Sequence, residues 1–192
     1  MQQVLKLTFL LSFILSAGLV FAQSAQEITL DRNTTIYVDG TSTLHDWTVE
    51  SASATGVLVM QEDGIASVSV QVPVRSLESG KSGMDRRMYD ALESRNHETI
   101  TFTSTEITLS DDKRSGTAKG ELTIAGQTRD HEVPFTLTGE GNSWKFSGSS
   151  EFTMSKFEID PPTAVMGTIR TGDAIVVRFE IATNRPQFTS AQ

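Results

Sequence analysis

The chain is predicted to be all-β: an antiparallel barrel of about eight strands with one short helix covering an end. Three observations predict it. Apolar residues alternate with polar or small ones at period two, most clearly at Val68, Val70, Val72 and Val74, and at Ile175, Val177, Phe179 and Ile181. Turn-forming pairs such as Asp63-Gly64 and Ala125-Gly126 punctuate these segments. Only one stretch carries helical spacing. Successive strand side chains point to opposite faces, so each segment is apolar on one side and wet on the other. With little helix to cover it, such a sheet must curl until its apolar faces meet.

The first residues read as a secretory signal. Lys6 supplies a positive charge, and Leu7 to Ala22 is an apolar run of 16 residues, short of the ~20 that span a bilayer. Val20-Phe21-Ala22 suits a signal peptidase, so residues 1–22 are expected to be removed after Ala22. Residues 23–192 then form one domain, because no second composition regime follows.

Within it, strands are expected near 27–31, 34–39, 46–50, 54–60, 65–75, 100–109, 115–124, 128–139, 143–156 and 173–183. Asp39-Gly40 and Gly139-Glu140-Gly141-Asn142 read as further turns. Two strands change phase: Ile100 and Phe102 give way to Ile107 and Leu109, and Phe152 and Met154 to Phe157 and Ile159. A one-residue slip marks a bulge that turns a barrel corner, and the small Gly148-Ser149-Ser150 would tolerate such a bend. In SGMDRRMYDALES, Met84, Met88 and Leu92 recur every four residues with Ala91 beside them, a helical stripe. Ser82 would cap this helix, and Asp85 would complement its dipole. Its Met-rich face suits either ordinary packing or a lid over an irregular ligand.

Composition excludes several functions. Without Lys6 the chain has 15 basic residues against 24 acidic ones, a net charge of −9. That argues against nucleic acid as a partner and disfavours unassisted adhesion to anionic lipid. There is no cysteine, hence no disulfide, thiolate metal site or lipidated cysteine. The product is expected to be periplasmic or secreted and not membrane-anchored.

Chemical motifs are sparse. His45-Asp46 is the one place resembling a relay, but neighbours on a strand face opposite ways. His97 and His131 are scattered without metal-ligand spacing, so no metal site is expected. No G-x-S-x-G occurs, and Gly80-Lys81-Ser82 lacks the first glycine of a phosphate loop, since position 75 is Arg. Asp111-Asp112 reads as a solvated hairpin tip, and Asn33-Thr34-Thr35 as an acceptor that only a eukaryotic secretory route would use.

Three segments carry a family resemblance. They are Gly40-Thr41-Ser42-Thr43-Leu44-His45-Asp46-Trp47; Ser76 to Gly80 with Met84-Asp85, continuing through Asn96-His97 to Thr105; and Gly120 to Thr128. In this order, behind a signal-like start, the chain resembles the YceI-like family of exported proteins over nearly all of 23–192. The region of Asp39 to Trp47 departs from the Asp…His-Ser pattern of many members. The resemblance implies a lipocalin-like barrel holding a long apolar lipid, a polyisoprenoid or isoprenoid quinone, with no other cofactor.

The residues expected to face the interior are Trp47, Phe102, Leu122, Phe135, Phe146, Phe152, Met154 and Phe179, together with Trp144. They either fill the barrel or line a cavity. Small residues in the same phase, Ala118, Gly120, Gly148 and Ser150, favour the cavity. Met84 and Met88 would face inward at the mouth, with Arg86 and Arg87 on the outer flank, where they could meet a polar headgroup. The expected activity is therefore binding, with no catalytic residues. The alternatives are a hydrolase or isomerase using His45, and a stress-related interaction module with a solid barrel. An edge strand left by incomplete closure could form a homodimer.

Overall fold

In a computed structural model, which describes residues 25–30, 34–140 and 142–184, the chain is a single rolled antiparallel sheet. Its strands are β1 (Gln26–Leu30), β2 (Thr34–Ser42), β3 (Trp47–Ser51), β4 (Thr55–Gln61), β5 (Gly64–Pro73), β6 (Thr99–Leu109), β7 (Ser115–Ile124), β8 (Gln127–Glu140), β9 (Ser143–Thr153), β10 (Thr163–Ala164) and β11 (Ile169–Asn184). One helix, α1 (Ser82–Ala91), lies between β5 and β6. The ladder runs β1-β4-β5-β6-β7-β8-β9-β11-β2-β3, and β10 pairs with β11. Ten strands on one path exceed the eight expected, but the all-β class and the single covering helix agree with the sequence reading. The expected cleavage site, residues 1–22 and Asn33 lie outside the described residues.

Because neighbours run antiparallel, the connections alternate between two ends. The tight β4–β5, β6–β7 and β8–β9 turns fall at one end. The β2–β3 loop, α1, the Ala125-Gly126 turn and the β9–β11 connection gather at the other, which is the mouth. The outer strands β1 and β3 share no ladder among the described residues. A bridge between Glu50 and Glu78, with N–H···O distances of 2.9 and 3.0 Å, instead pins β3 to the segment after β5.

The first phase change is a bulge, as its slip predicts: pairing of β6 with β7 shifts between Ser104 and Glu106. Buried Ser104 fills the gap, its hydroxyl donating to the Lys119 carbonyl at 2.6 Å. The second is not. The expected strand 143–156 stops at Thr153, and Met154–Phe157 form a 3₁₀ turn closed by Glu158 at φ 58°. The turn is held by Asp173, whose carboxylate accepts from the Ser155 N–H (2.8 Å) and hydroxyl (2.6 Å). A turn of three residues per cycle also changes a period-two phase, which is why it mimicked a bulge. Likewise β5 ends at Pro73, before a 3₁₀ turn at Val74–Ser76.

Two further expectations are corrected. Asp39-Gly40 is no turn but the middle of β2, where Gly40 pairs with Trp47. A Cβ there would lie 2.2 Å from the indole, so the glycine makes room for a ring. Ser82 is the first helical residue rather than the cap; Lys81 holds that position without a side-chain bond.

Candidate functional site

A cavity of about 440 Å³ runs through the barrel, its wall almost wholly apolar. All eight interior residues named from alternation line it: Trp47, Phe102, Leu122, Phe135, Phe146, Phe152, Met154 and Phe179. The floor is packed from Leu30, Leu58, Ile65, Phe135, Phe146 and Ile181, with Phe135 and Phe146 ring centroids 6.1 Å apart. Trp144, on the same phase, is not in the wall; it packs edge-on against Phe146 and covers Gly139.

The small residues do not all open space. Gly148 pairs with both Phe179 and Phe135, and a Cβ on it would meet the Phe179 ring at 2.6 Å. Gly116 lies under Phe135 in the same way. Cross-strand rings thus fill the gaps that glycines leave, an arrangement that stiffens the wall. Gly120 instead lets the bulged β6 approach, a Cβ there lying 2.0 Å from the Thr103 carbonyl.

The mouth is built by α1 and two loops. Met84 and Met88 face the cavity beside Ala91 and Leu92, as the helical stripe predicts. The cations differ from expectation. Arg87 lines the mouth with Lys81, its guanidinium donating to the Gly83 carbonyl at 2.8 Å, whereas Arg86 is exposed and forms no part of the wall. At 100° per residue one step carries Arg87 from the outer flank to the edge of the Met84–Met88 stripe. No residue of α1 is fully buried. The helix is tied by the Tyr89 hydroxyl, which donates to the Leu77 carbonyl at 2.7 Å, and by Asp85, which accepts from the Ser79 N–H at 2.8 Å. Burial foremost raises the Tyr89 pKa. Gly80, at φ 73° with nothing near its Cβ position, precedes α1, and Glu93 at φ 49° follows it.

His45 and Asp46 lie in the β2–β3 loop rather than on a strand. His45 lines the mouth, with Nδ1 2.7 Å from the Asp46 carbonyl, and the two side chains share no bond. Asp112 caps the β6–β7 turn, accepting from the Ser110 hydroxyl at 2.7 Å and the Arg114 N–H at 2.9 Å. Among the described residues no three His, Asp or Glu side chains gather as a metal site would require.

The sequence reading missed the polar feature of the wall. His131 is 9 % exposed, and its Nε2 lies 2.7 Å from the Ser150 hydroxyl; both residues line the cavity. Its ring meets Phe152 edge-on at 5.1 Å. Burial first, and then the Lys156 charge, push its pKa below the ordinary histidine value. Both effects favour the neutral imidazole, which offers one hydrogen-bonding position besides the Ser150 contact. The available signal was its shared phase with Val133 and Phe135. A His–Ser contact of this length is what a nucleophile needs, but the second ring nitrogen has no orienting partner among the described residues, and Ser150 sits mid-strand.

The wall also contains a seam. Pairing of β8 with β9 runs only from Phe135–Gly148 to Glu140–Ser143. It stops at Pro134, which has no N–H to donate. Beyond it the β8 carbonyls are met by side chains: Glu132 by the Ser150 hydroxyl (3.3 Å), Asp130 by Lys156 Nζ (2.9 Å) and Thr128 by Arg129 Nη1 (2.8 Å).

Comparison with known proteins agrees with this architecture. The YceI-like domain model matches residues 22–183. The fold is shared with BcnA of Burkholderia cenocepacia (TM-score 0.67, 16 % identity, over 78 % of this chain and 96 % of that one). It is shared with the Campylobacter jejuni YceI protein (0.59, 19 %, 70 % and 82 %). A polyisoprenoid binding domain of Saccharophagus degradans, implicated in plant cell wall breakdown, is also similar (0.60, 10 %, 85 % and 99 %). No curated protein matches the sequence. The chain belongs to the YceI-like family.

Proposed function

We propose that this YceI-like protein is an exported, non-catalytic carrier of a long apolar lipid, a polyisoprenoid or an isoprenoid quinone, enclosed by the barrel. The observation that carries the reading is the cavity: about 440 Å³, continuous and apolar, within the ~300–1,000 Å³ usual for ligand sites. The polyisoprenoid-binding neighbour supports the ligand class, and the apolar run Leu7 to Ala22 supports export. His131 and Ser150 favour a ligand with a hydrogen-bonding group over plain hydrocarbon, because a neutral imidazole in an apolar wall is best satisfied by one. A quinone carbonyl or a polyisoprenoid hydroxyl would both meet that requirement.

Native mass spectrometry of protein purified from its own host tests this. The expected result is a chain beginning at Gln23 that carries one lipid, released unchanged after incubation. An empty barrel that takes up no added prenylquinone from detergent would overturn the reading. A lipid recovered in altered form would favour the hydrolase or isomerase alternative.

A further inference from the structure

We infer that the mouth is a membrane-docking surface: Leu44, Val165 and Met166 enter the interfacial layer of a lipid bilayer, and the cavity opens against it. The inference rests on the cavity reading above. Among the described residues four large hydrophobic side chains are exposed, and three of them are these, at 66 %, 64 % and 107 %. They sit on two loops at the mouth. Leu44 lines the cavity from the β2–β3 loop, and Val165 and Met166 form the tip between β10 and β11. The loops are joined by Thr43, whose N–H donates to the Arg170 carbonyl at 3.0 Å and whose hydroxyl donates to the Thr168 carbonyl at 3.3 Å. The apolar side chains are therefore parts of one rim.

The tip is held outward at a cost. Val165, Met166 and Gly167 are all left-handed, at φ 49°, 53° and 84°. For a β-branched residue this is a true outlier, and such strain persists only where the surroundings enforce it. Here the Thr168 N–H and hydroxyl both donate to the Val165 carbonyl, at 3.1 and 2.7 Å. A folded chain that exposes Met166 fully, when relaxation could cover it, leaves apolar surface for a partner.

Charge selects the partner. Lys81 and Arg87 at the mouth, and Arg170 on the β11 side, take part in none of the five salt bridges among the described residues. The same end also carries carboxylates: Asp46 and Asp160 in the loops, and Asp85, Asp90 and Glu93 on and just after α1, with Asp85 held by Ser79. The overall negative charge disfavours adhesion by charge alone. Apolar tips with the cations Lys81, Arg87 and Arg170 beside them still give this one rim a local match to an anionic bilayer interface, where insertion supplies the affinity and headgroup attraction adds to it.

The test is flotation of the mature protein with phosphatidylcholine vesicles, with and without phosphatidylglycerol, beside the double variant Val165→Asp, Met166→Asp. Aspartate tolerates left-handed backbone, so the variant should keep its melting temperature. Neither residue lines the cavity, so uptake of a prenylquinone from detergent micelles should be unchanged. Wild type should float with the anionic vesicles, and the variant should bind them roughly tenfold or more weakly and load from them correspondingly slowly. Loading from micelles without flotation, or equal flotation of both proteins, overturns docking and leaves the cavity reading intact. Flotation without any lipid uptake supports docking and sinks the cavity reading. A concentration-dependent dimer abolished by the variant, with no vesicle binding, would assign the rim to a second copy and overturn docking.

Discussion

The 3₁₀ turn at Met154–Phe157 and helix α1 cover the same end of the barrel, but the turn buries Met154 and Phe157 while α1 buries none of its ten residues. Phe157, 1 % exposed, packs against Phe152 with ring centroids 5.2 Å apart and lies outside the cavity wall. Met84 and Met88, half-buried, line the cavity itself. The turn is bound into the sheet through Asp173 and through Arg129, which reaches the Lys156 carbonyl at 3.1 Å and Glu158 at 2.8 Å. The helix hangs between two left-handed residues on a few hydrogen bonds. One cover is a buried plug, and the other spans the mouth with half-buried side chains. Regions with few buried apolar contacts are the ones that open locally.

The contrast should be plainest on truncation. Phe157→Ala is expected to cost about 3–5 kcal/mol in denaturant unfolding, as for a core phenylalanine. Met88→Ala should cost less than half as much while accelerating lipid release. Equal losses would show that α1 is core after all. A smaller effect separates the two by pH. Asp173 is held below the ordinary carboxylate range by the Ser155 hydroxyl and N–H. Its contribution is thus present above the unfolded value near 3.8 and is lost as pH falls through the lower folded value. Asp173→Asn should lower the melting temperature at pH 7, and the gap should close toward strongly acid pH; a constant gap would remove the charge from the explanation. The smallest effect belongs to α1. Tyr89→Phe should cost no more than about 1 kcal/mol, yet raise the lipid off-rate, read by transfer to acceptor vesicles. An unchanged off-rate would mean that α1 does not gate the cavity.

The regular parts of the molecule were legible because alternation is a direct record of a two-faced sheet. All eight interior positions and the Met84–Met88 stripe were readable for that reason. The bulge near Thr105 was readable because a slip of one residue has one cheap structural cause. The plug was not, since a 3₁₀ turn leaves the same phase change as a bulge, and the Ser155–Asp173 bond that decides between them spans 18 residues. His131 was passed over because, as an isolated histidine, it matched no ligand spacing; its role comes from Ser150 on another strand. Arg87 was placed on the outer flank with Arg86 because helical phase alone resolves a flank only to about one residue. The β10–β11 tip has no periodicity at all, and its exposure and backbone conformation exist only in three dimensions.

The interrupted ladder between β8 and β9 bears on how the barrel accommodates its contents. Along the other paired strands of the path, backbone hydrogen bonds hold neighbours about 4.8 Å apart, a spacing that hardly varies. Across the seam it is set by the Ser150 hydroxyl on the Glu132 carbonyl, Lys156 on the Asp130 carbonyl and Arg129 on the Lys156 carbonyl, side chains with rotamers to spare. A girth controlled by side chains is elastically compliant where the rest of the hoop is stiff. Ligands of unequal thickness could then share one fold, the strain concentrating in three exchangeable polar contacts while every backbone ladder stays whole.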